Sequence, residues 1–315
     1  MSASVFTPRL RQILGILLFL AFLAFVEWYL GWLRLLRPWN TMPPLQLSLA
    51  LTLILFSYWL RAVRLYRYFH PALEDGFLLC WRLMLQHNLF NNLLPMRSGE
   101  LSFPILMSRY FSVEMTRSIP ALLWFRFLDL HTLGLLALPT IIWPLLGPTA
   151  TIGTSILWIA LPWLFFRWGL RIEWWLSQHT QQRLPGLASR LLSGLPRDNR
   201  TFAETWWWTL VNWIVKLGVF AWVLQHFIDV DLSIALLGAI GGEVTSVLPI
   251  HGVAGLGTYE AGIMAALLPW GLEPKATLEA AVNLHLFLLA ASLGGGMVTW
   301  LLPYRPHNST SDITP

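Results

Sequence analysis

Charge is scarce in this sequence. Only 12% of its 315 residues are Asp, Glu, Lys or Arg, whereas 56% are hydrophobic, and soluble domains carry about 25% charged residues. This balance excludes an ordinary water-soluble domain. It also excludes a nucleic-acid-binding surface, which needs clustered basic residues on a folded polar face. The medium predicted for most of the chain is therefore a lipid bilayer.

Lysine and cysteine are nearly absent as well. Lys216 and Lys275 are the two lysines among 21 basic residues, and Cys80 is the one cysteine. A lone cysteine can form neither an intramolecular disulfide nor a cysteine-based zinc site. Tryptophan, in contrast, occurs 19 times, and both Trp and Arg tolerate the headgroup layer of a membrane. The net charge of +5 therefore indicates membrane orientation.

Common catalytic and cofactor motifs are missing too. The sequence has no glycine-rich phosphate loop followed by Lys, no Gly-x-Ser-x-Gly nucleophile elbow and no His-Glu-x-x-His zinc motif. We therefore predict a non-enzymatic protein that holds no metal and no cofactor.

Long apolar runs are what the sequence does have. Six of them can cross a hydrocarbon core about 30 Å thick as helices of roughly 20 residues. Two further regions, 77–111 and 232–270, hold too many polar residues for lipid-exposed spans, so we predict a re-entrant helical hairpin for each. The predicted fold is an all-α polytopic membrane protein. Its six full spans are 12–33, 45–60, 119–145, 151–166, 205–226 and 276–302.

The distribution of Arg predicts how the chain is oriented. Short loops rich in Arg stay cytoplasmic, and Arg61, Arg64 and Arg67 follow the second span as such a flank. The pattern places both termini on the cytoplasmic side of the membrane. The two hairpins then enter from opposite faces, as in an inverted repeat. One membrane domain, 1–303, is predicted, with halves 1–166 and 205–303, an interfacial connector 167–204 and a polar tail 304–315.

Polar side chains surround the predicted break in the first hairpin. Asn88, Asn91 and Asn92 share one helical face ahead of a proline, and Arg97 and Glu100 follow it. A half-helix start exposes backbone amides that favour an anion, and the Arg97 guanidinium can hold a phosphate with two hydrogen bonds. We predict an anionic-headgroup site here. The alternative is that the three Asn side chains only satisfy backbone groups that the break leaves unpaired.

An ion pair is predicted within the third span. Arg126 and Asp129 stand three residues apart, which places them on one helical face. A charge at the centre of a spanning helix costs about 2.5 to 3.5 kcal/mol, so it needs a partner or a purpose. Two roles for this pair remain open. It contacts a substrate directly, or it is a structural pair that holds the helix in the bundle.

The second hairpin combines glycines with titratable side chains. Three glycines between 252 and 257 permit tight turns and a close approach of the backbone. Glu243, His251 and Glu260 are candidate proton or cation sites, because a buried carboxylate that can be protonated is one way to couple transport to a proton gradient. Equally, Glu260 could only accept hydrogen bonds from amides of the loop and so lock the hairpin.

Three motifs stand in order along the chain. Residues 91–100 read NNLLPMRSGE and are followed by Arg109, residues 125–129 read FRFLD, and residues 248–260 read LPIHGVAGLGTYE. Together they resemble the signature of the lysylphosphatidylglycerol synthase transmembrane-region family, also called flippase-like proteins. The resemblance implies the lipid-translocating membrane half of such a protein without its cytosolic aminoacyl-transferase domain, and it adds Arg109 and Tyr259 to the candidate residues. Phe103 and Phe125 stand where the family commonly has charged residues.

We therefore predict a protein that binds a phospholipid or other lipid-linked amphiphile, or moves it across the inner membrane, with the headgroup passing through a polar cavity between the hairpins. The expected partners are membrane lipids with an anionic or lipid-linked headgroup, a second copy of the chain, or a lipid-biosynthesis enzyme. The alternatives are a non-catalytic membrane subunit of a lipid or glycolipid synthesis complex, and a membrane-embedded lipid or glycosyl transferase with Asp229 and Asp231 as its acidic pair. The candidate binding residues are Asn88, Asn91, Asn92, Arg97, Glu100, Arg109, Arg126, Asp129, Glu243, His251, Tyr259 and Glu260.

Overall fold

All regular structure in the described part of the chain is helical. The computed structural model describes residues 8–70, 72–73, 76–179, 192, 194–247 and 253–304, and these ranges contain α-helices and short 3-10 turns but no strand. The prediction of an all-α fold is confirmed. The ten α-helices of these ranges are α1 (Pro8–Tyr29), α2 (Trp32–Leu36), α3 (Pro44–Phe69), α4 (Phe77–Leu93), α5 (Ser102–Phe111), α6 (Met115–His179), α7 (Asn199–Phe227), α8 (Leu232–Val247), α9 (Thr258–Leu267) and α10 (Pro274–Val298).

Four stretches within the described ranges are long and apolar enough to cross a membrane, and they show a multi-pass membrane protein. The two runs predicted on either side of residue 147 are two helices within one of these stretches, since α6 is interrupted at Gly147, where φ is 76° and ψ is −179°. Glycine adopts this positive φ without steric cost. The two helices fold back on each other, because the rings of Phe127 and Phe165 lie 4.9 Å apart and His131 Nε2 lies 2.7 Å from the Trp158 carbonyl oxygen. The count of six crossings stays a prediction. The four stretches are Pro44–Phe69, Met115–Gly169, Asn199–Phe227 and Pro274–Leu301.

The outer surface of α6 is apolar. Leu145, Leu157 and Trp168 are 72%, 71% and 62% exposed. A large exposed apolar surface of this kind is unfavourable in water and marks a membrane or protein contact. Lipid is therefore the medium that suits α6.

The helix α3 is longer than the sequence predicts. The second span was expected to end at residue 60, but α3 continues to Phe69. Its last turns carry Arg61 and Arg64, which are only 7% and 5% exposed. The helix thus goes on past the predicted end of the span, and other helices cover the face that carries these two arginines. Their place relative to the membrane stays a prediction.

The first predicted hairpin is a helix, a break and a second helix. Pro95 ends α4 and begins a 3-10 turn, Pro95–Leu101, because proline cannot donate the hydrogen bond that would continue the α-helix. Gly99 brings this turn against α4, since a Cβ atom there would lie 2.3 Å from the carbonyl oxygen of Phe90. The helix α5 follows, and the side chains of His87 and Ser102 join it to α4 at 3.0 Å.

The second predicted hairpin consists of α8 and α9, which pack closely through two glycines. A Cβ atom on Gly241 would lie 2.3 Å from the carbonyl oxygen of Gly262, and one on Gly262 would lie 2.4 Å from that of Gly241. Small residues at such a crossing let helix backbones approach in a membrane. Whether either hairpin is re-entrant stays a prediction.

The chain divides into two compact units. The first unit draws its described residues from Met1–Ile54, Leu89–Gly99 and Leu217–Leu293, and the second from Leu55–Asn88, Glu100–Lys216 and Gly294–Pro315. A core of the second unit is rich in aromatic side chains, among them Phe69, Phe103 and Trp124. A small core of the first unit gathers Val26, Leu35 and Val282. The predicted division into halves 1–166 and 205–303 stays a prediction.

Two long helices begin at carboxylate caps. Asp198 accepts hydrogen bonds from the backbone N–H and the hydroxyl of Thr201 at 2.8 and 2.9 Å, and these bonds lower the pKa of Asp198. Glu273 accepts from the N–H groups of Ala276 and Lys275 at 2.5 and 2.9 Å, which lowers the pKa of Glu273. Both caps satisfy amides that a helix start leaves without partners.

Candidate functional site

A buried ion cluster lies in the second unit, and Asp129 of α6 is its centre. The Asp129 side chain is buried and accepts from Arg64 Nη1 at 2.7 Å and from Trp213 Nε1 at 3.0 Å through Oδ1. Its other oxygen accepts from Arg126 Nη1 at 3.4 Å. Both carboxylate oxygens therefore face donors, as a buried charge requires.

Arg126 joins this aspartate to the first hairpin. Its Nη2 atom donates to Glu100 Oε1 at 2.5 Å and its Nε atom donates to Oε2 at 3.4 Å. This two-pronged geometry is the one in which a guanidinium holds a carboxylate or a phosphate. Arg126 and Asp129 thus form the predicted pair, and Glu100 joins them. We call Arg61, Arg64, Glu100, Arg126 and Asp129 the arginine cluster.

Arg61 and Arg64 are members that the sequence analysis missed. Arg64 donates to the Thr209 hydroxyl at 2.9 Å as well as to Asp129, and Arg61 donates to Asn88 Oδ1 at 3.4 Å. The predicted residue Asn88 is thereby connected to the cluster. The available signal was the spacing of Ser57, Arg61 and Arg64, since residues four and three apart share a helical face.

A polar stripe on α7 was also missed. Trp213 is fully buried, and its ring lies 5.4 Å from the Arg61 guanidinium and 5.2 Å from the Lys216 ammonium. Such cation–π contacts stabilise charges that have left water. The buried polar residues of this stripe recur every three or four positions, which is the helical period. They are Thr205, Thr209, Asn212 and Lys216.

The arginine cluster encloses a small cavity. Its volume is about 10 Å³, which is room for about one water molecule. A lipid headgroup therefore does not fit in this conformation. The Phe125 ring closes one side, 4.6 Å from the Arg64 guanidinium. The lining residues are Arg61, Arg64, Met84, His87, Phe103, Leu122, Phe125, Arg126 and Asp129.

A second buried group of polar side chains lies in the first unit, at residues 253–257, which we call the glycine-rich loop. Glu260 Oε2 accepts from the backbone N–H of Gly257 at 2.8 Å, and Glu260 Oε1 lies 2.7 Å from Nδ1 of His285 on α10. The other ring nitrogen, Nε2, lies 2.9 Å from the carbonyl oxygen of Ala254. Glu260 thus accepts a hydrogen bond from a loop amide, which is the contact described in the second of the two interpretations of this residue. The sequence analysis did not include His285 among the candidate residues and missed this contact.

The first unit also holds other predicted residues. Tyr259 is fully buried, and a Cβ atom on Gly242 would lie 2.7 Å from its ring. Glu243 is buried, and its Oε2 atom accepts from the Ser246 hydroxyl at 3.1 Å. Asn92 donates to the Ser292 hydroxyl at 2.6 Å. Asn91 is buried on the same helix, 9% exposed.

The three remaining predicted residues join neither group. Arg109 is exposed and donates to the Tyr304 hydroxyl. His251 and the side chain of Arg97 lie outside the part of the chain that the structure describes. Within the described ranges, no three His, Cys, Asp or Glu side chains are arranged to hold a metal ion.

Comparison with known proteins yields one family. The model of the family described as lysylphosphatidylglycerol synthase TM region matches residues 12–296. No curated protein and no solved structure matches the chain. The matched range contains the arginine cluster and the contact between Glu260 and His285.

Proposed function

The chain belongs to the lysylphosphatidylglycerol synthase TM region family, and we propose that it binds the headgroup of a membrane lipid and moves the lipid across the bacterial inner membrane. The lipid would be a phospholipid or another lipid-linked amphiphile. We also propose that the chain works without covalent chemistry of its own, with both termini cytoplasmic.

The arginine cluster is the observation that carries this proposal. It contains three guanidinium groups and two carboxylates among helices that span the membrane. Ionisable residues at membrane depth are costly and mark substrate pathways more often than chance. Arginine in particular matches the planar, two-pronged geometry of a phosphate. A phosphate-bearing headgroup is therefore the ligand that these side chains fit best.

Binding would require the cluster to open, because its cavity has room for about one water molecule. Glu100 offers a way, since its carboxylate holds Arg126 with the same two-pronged geometry that a phosphate would use. A lipid phosphate would replace the Glu100 carboxylate on Arg126, so the guanidinium would keep an anionic partner. The 3-10 turn that carries Glu100 would then move away from α6.

Reconstitution into liposomes tests the proposal. The purified full chain would be inserted into vesicles that contain fluorescent phosphatidylglycerol, phosphatidylethanolamine or a glycolipid, and a membrane-impermeant quencher would report the rate of movement between leaflets. We expect the wild type to accelerate at least one of these lipids and Arg126→Gln to lose at least tenfold of that rate.

Arg200→Gln is the matched control, because Arg200 is an exposed arginine paired with Glu204. It should move lipid at the wild-type rate. The proposal is wrong if a folded Arg126→Gln protein moves every lipid as fast as the wild type, or if the wild type accelerates none of them.

A further inference from the structure

Glu260 and His285 form a buried contact in which both carboxylate oxygens and both ring nitrogens have a hydrogen-bond partner. Both residues are 2% exposed. The His285 ring has a partner at each nitrogen, Glu260 Oε1 at 2.7 Å and the carbonyl oxygen of Ala254 at 2.9 Å. Glu260 in turn accepts from the N–H of Gly257 through Oε2. Three hydrogen bonds therefore connect α10, α9 and the glycine-rich loop.

Two of these three bonds have an unambiguous direction. A carbonyl oxygen can only accept, so Nε2 of His285 carries a hydrogen when it contacts Ala254. A backbone N–H can only donate, so Glu260 Oε2 accepts from Gly257. The remaining contact, between Oε1 and Nδ1, then needs one proton between the two atoms. That proton sits on the imidazole of an ion pair or on the carboxyl of a neutral pair.

Any other number of protons breaks the arrangement. Without the proton, lone pairs of Glu260 Oε1 and His285 Nδ1 face each other and the pair carries a buried negative charge. With a second proton, a carboxyl hydrogen of Glu260 lies next to Nδ1–H or next to the Gly257 N–H, and both of those groups also donate. Only the state with one shared proton satisfies all three bonds.

We propose that Glu260 and His285 form a proton-binding site that holds the glycine-rich loop in place only while the pair carries one shared proton. The loop comprises residues 253–257. We call this proton-dependent contact the lock, and it would exist whether or not the chain moves a lipid. In a lipid carrier it would make the shape of the loop depend on the proton concentration.

Backbone strain in the loop gives the lock its consequence. Ala254 has φ of 51° and ψ of 22°, a left-handed conformation that is unfavourable for an L-residue with a Cβ atom. Gly255 and Gly257 also have positive φ, 76° and 78°. The bond from His285 to the Ala254 carbonyl holds this conformation. When the proton count changes and that bond breaks, the strained loop relaxes.

Several charged and titratable groups on the elements of the first unit have other partners. Tyr259 on α9 lies beside the pair, with its ring 4.7 Å from that of His285. On α8, Glu243 accepts from Ser246, and on α1, Glu27 accepts from the N–H of Trp32. Arg34 on α2 pairs with Glu279, and His226 on α7 contacts the Pro38 carbonyl oxygen. Lys275 on α10 lies against the Tyr29 ring.

Hydrogen exchange of the loop amides measures the lock directly. Exchange of residues 253–260 would be followed by mass spectrometry in the purified full chain from acidic to alkaline pH and expressed as a protection factor, which corrects for the intrinsic pH dependence of exchange. We expect wild-type protection to fall at least tenfold at the pH where the shared proton leaves. In His285→Ala the loop should be poorly protected at every pH.

Glu260→Gln distinguishes the lock from a simple contact. Its amide can accept from Gly257 and donate to a neutral His285 Nδ1, so the three bonds survive without a titrating proton. We expect this variant to keep its protection in alkali, where the wild type loses it. Glu279→Gln is the control, because it removes a carboxylate from the same helix, α10, and should follow the wild-type curve. If Glu260→Gln follows the wild-type curve, or if wild-type protection does not depend on pH, the lock does not exist.

A measurement on the wild type alone covers the case in which the variants do not fold. Histidine labelled with nitrogen-15 would report which ring nitrogen of His285 carries a hydrogen, assigned by its proximity to labelled glutamate. We expect Nε2 to keep its hydrogen at every pH at which the loop is protected. A His285 ring with a bare Nε2 under those conditions would overturn the inference. Because both readouts concern the loop, their failure would leave the proposed lipid transport untouched.

Discussion

Arg64 and Asp129 lie 2.7 Å apart, with side chains 6% and 1% exposed, although 65 residues separate them in the sequence. Taking two charges out of water costs several kcal/mol per ion, which their attraction and further hydrogen bonds must offset. Thr209 and Trp213 supply such bonds. Removing one partner should therefore destabilise the fold by more than the ion pair contributes to its stability, because the other charge is left buried without compensation.

Asp129→Asn tests this directly. The substitution leaves Arg64 and Arg126 beside a neutral side chain, and uncompensated buried charges cost about 3 to 5 kcal/mol. We expect a marked fall of the midpoint of thermal unfolding in detergent. Glu204→Gln is the control, since its pair with the exposed Arg200 is screened by water and contributes little. Equal midpoints for the two variants would show that the Asp129 carboxylate does not stabilise the fold.

Glu100→Gln should strengthen the binding of anionic lipid. The neutral amide holds Arg126 less firmly, which frees the guanidinium for a phosphate. A gain of about 1 kcal/mol corresponds to roughly a fivefold higher affinity. Native mass spectrometry of lipid retained by the purified protein measures this. Weaker retention of phosphatidylglycerol by Glu100→Gln would contradict this prediction. It would mean that the Glu100 carboxylate contacts the lipid instead of competing with it for Arg126.

Gly241→Ala should disrupt the second hairpin. Its Cβ atom would lie 2.3 Å from the carbonyl oxygen of Gly262, a backbone atom that cannot rotate away. We expect a large loss of folded protein, seen as early elution in size-exclusion chromatography and a lower unfolding midpoint. Gly218→Ala is the matched control within α7, where a Cβ atom meets nothing within 4 Å. That change should stabilise the helix by up to about 1 kcal/mol, so a loss of stability equal to that of Gly241→Ala would contradict the packing argument.

Asp198→Ala should destabilise the start of α7 in a pH-dependent way. Removing a capping carboxylate costs about 1 kcal/mol. Because its hydrogen bonds lower the pKa of Asp198, the cap stabilises the fold above the ordinary pKa of Asp, and this contribution is lost as the pH falls through the lowered value. Unfolding midpoints of wild type and variant should differ at neutral pH and converge in acid. Asp198→Asn still caps but does not titrate, so its difference from Asp198→Ala should persist in acid.

Composition and pattern were sufficient for the medium, the helical class and the positions of the breaks. With 56% hydrophobic and 12% charged residues, the chain can bury its backbone groups in lipid only as helices or closed barrels, and the 20-residue runs favour helices. Pro95 and Gly147 break helices for reasons that belong to their own covalent structure, so both breaks could be read locally. The motif at Arg126 and Asp129 predicted a pair because its spacing lies within one helix.

Which helix faces meet was decided by the tertiary structure alone. Arg61 and Arg64 have the sequence pattern of a cytoplasmic flank, and only the continuation of α3 beside α6 and α7 makes them part of a buried cluster. His285 likewise gains its meaning from Ala254 and Glu260, which lie 31 and 25 residues away. Helical periodicity determines which side chains share a face, but the partner of that face depends on packing between distant segments. The sequence by itself determined that buried charges exist in this membrane protein, and the fold decided which charges hold one another.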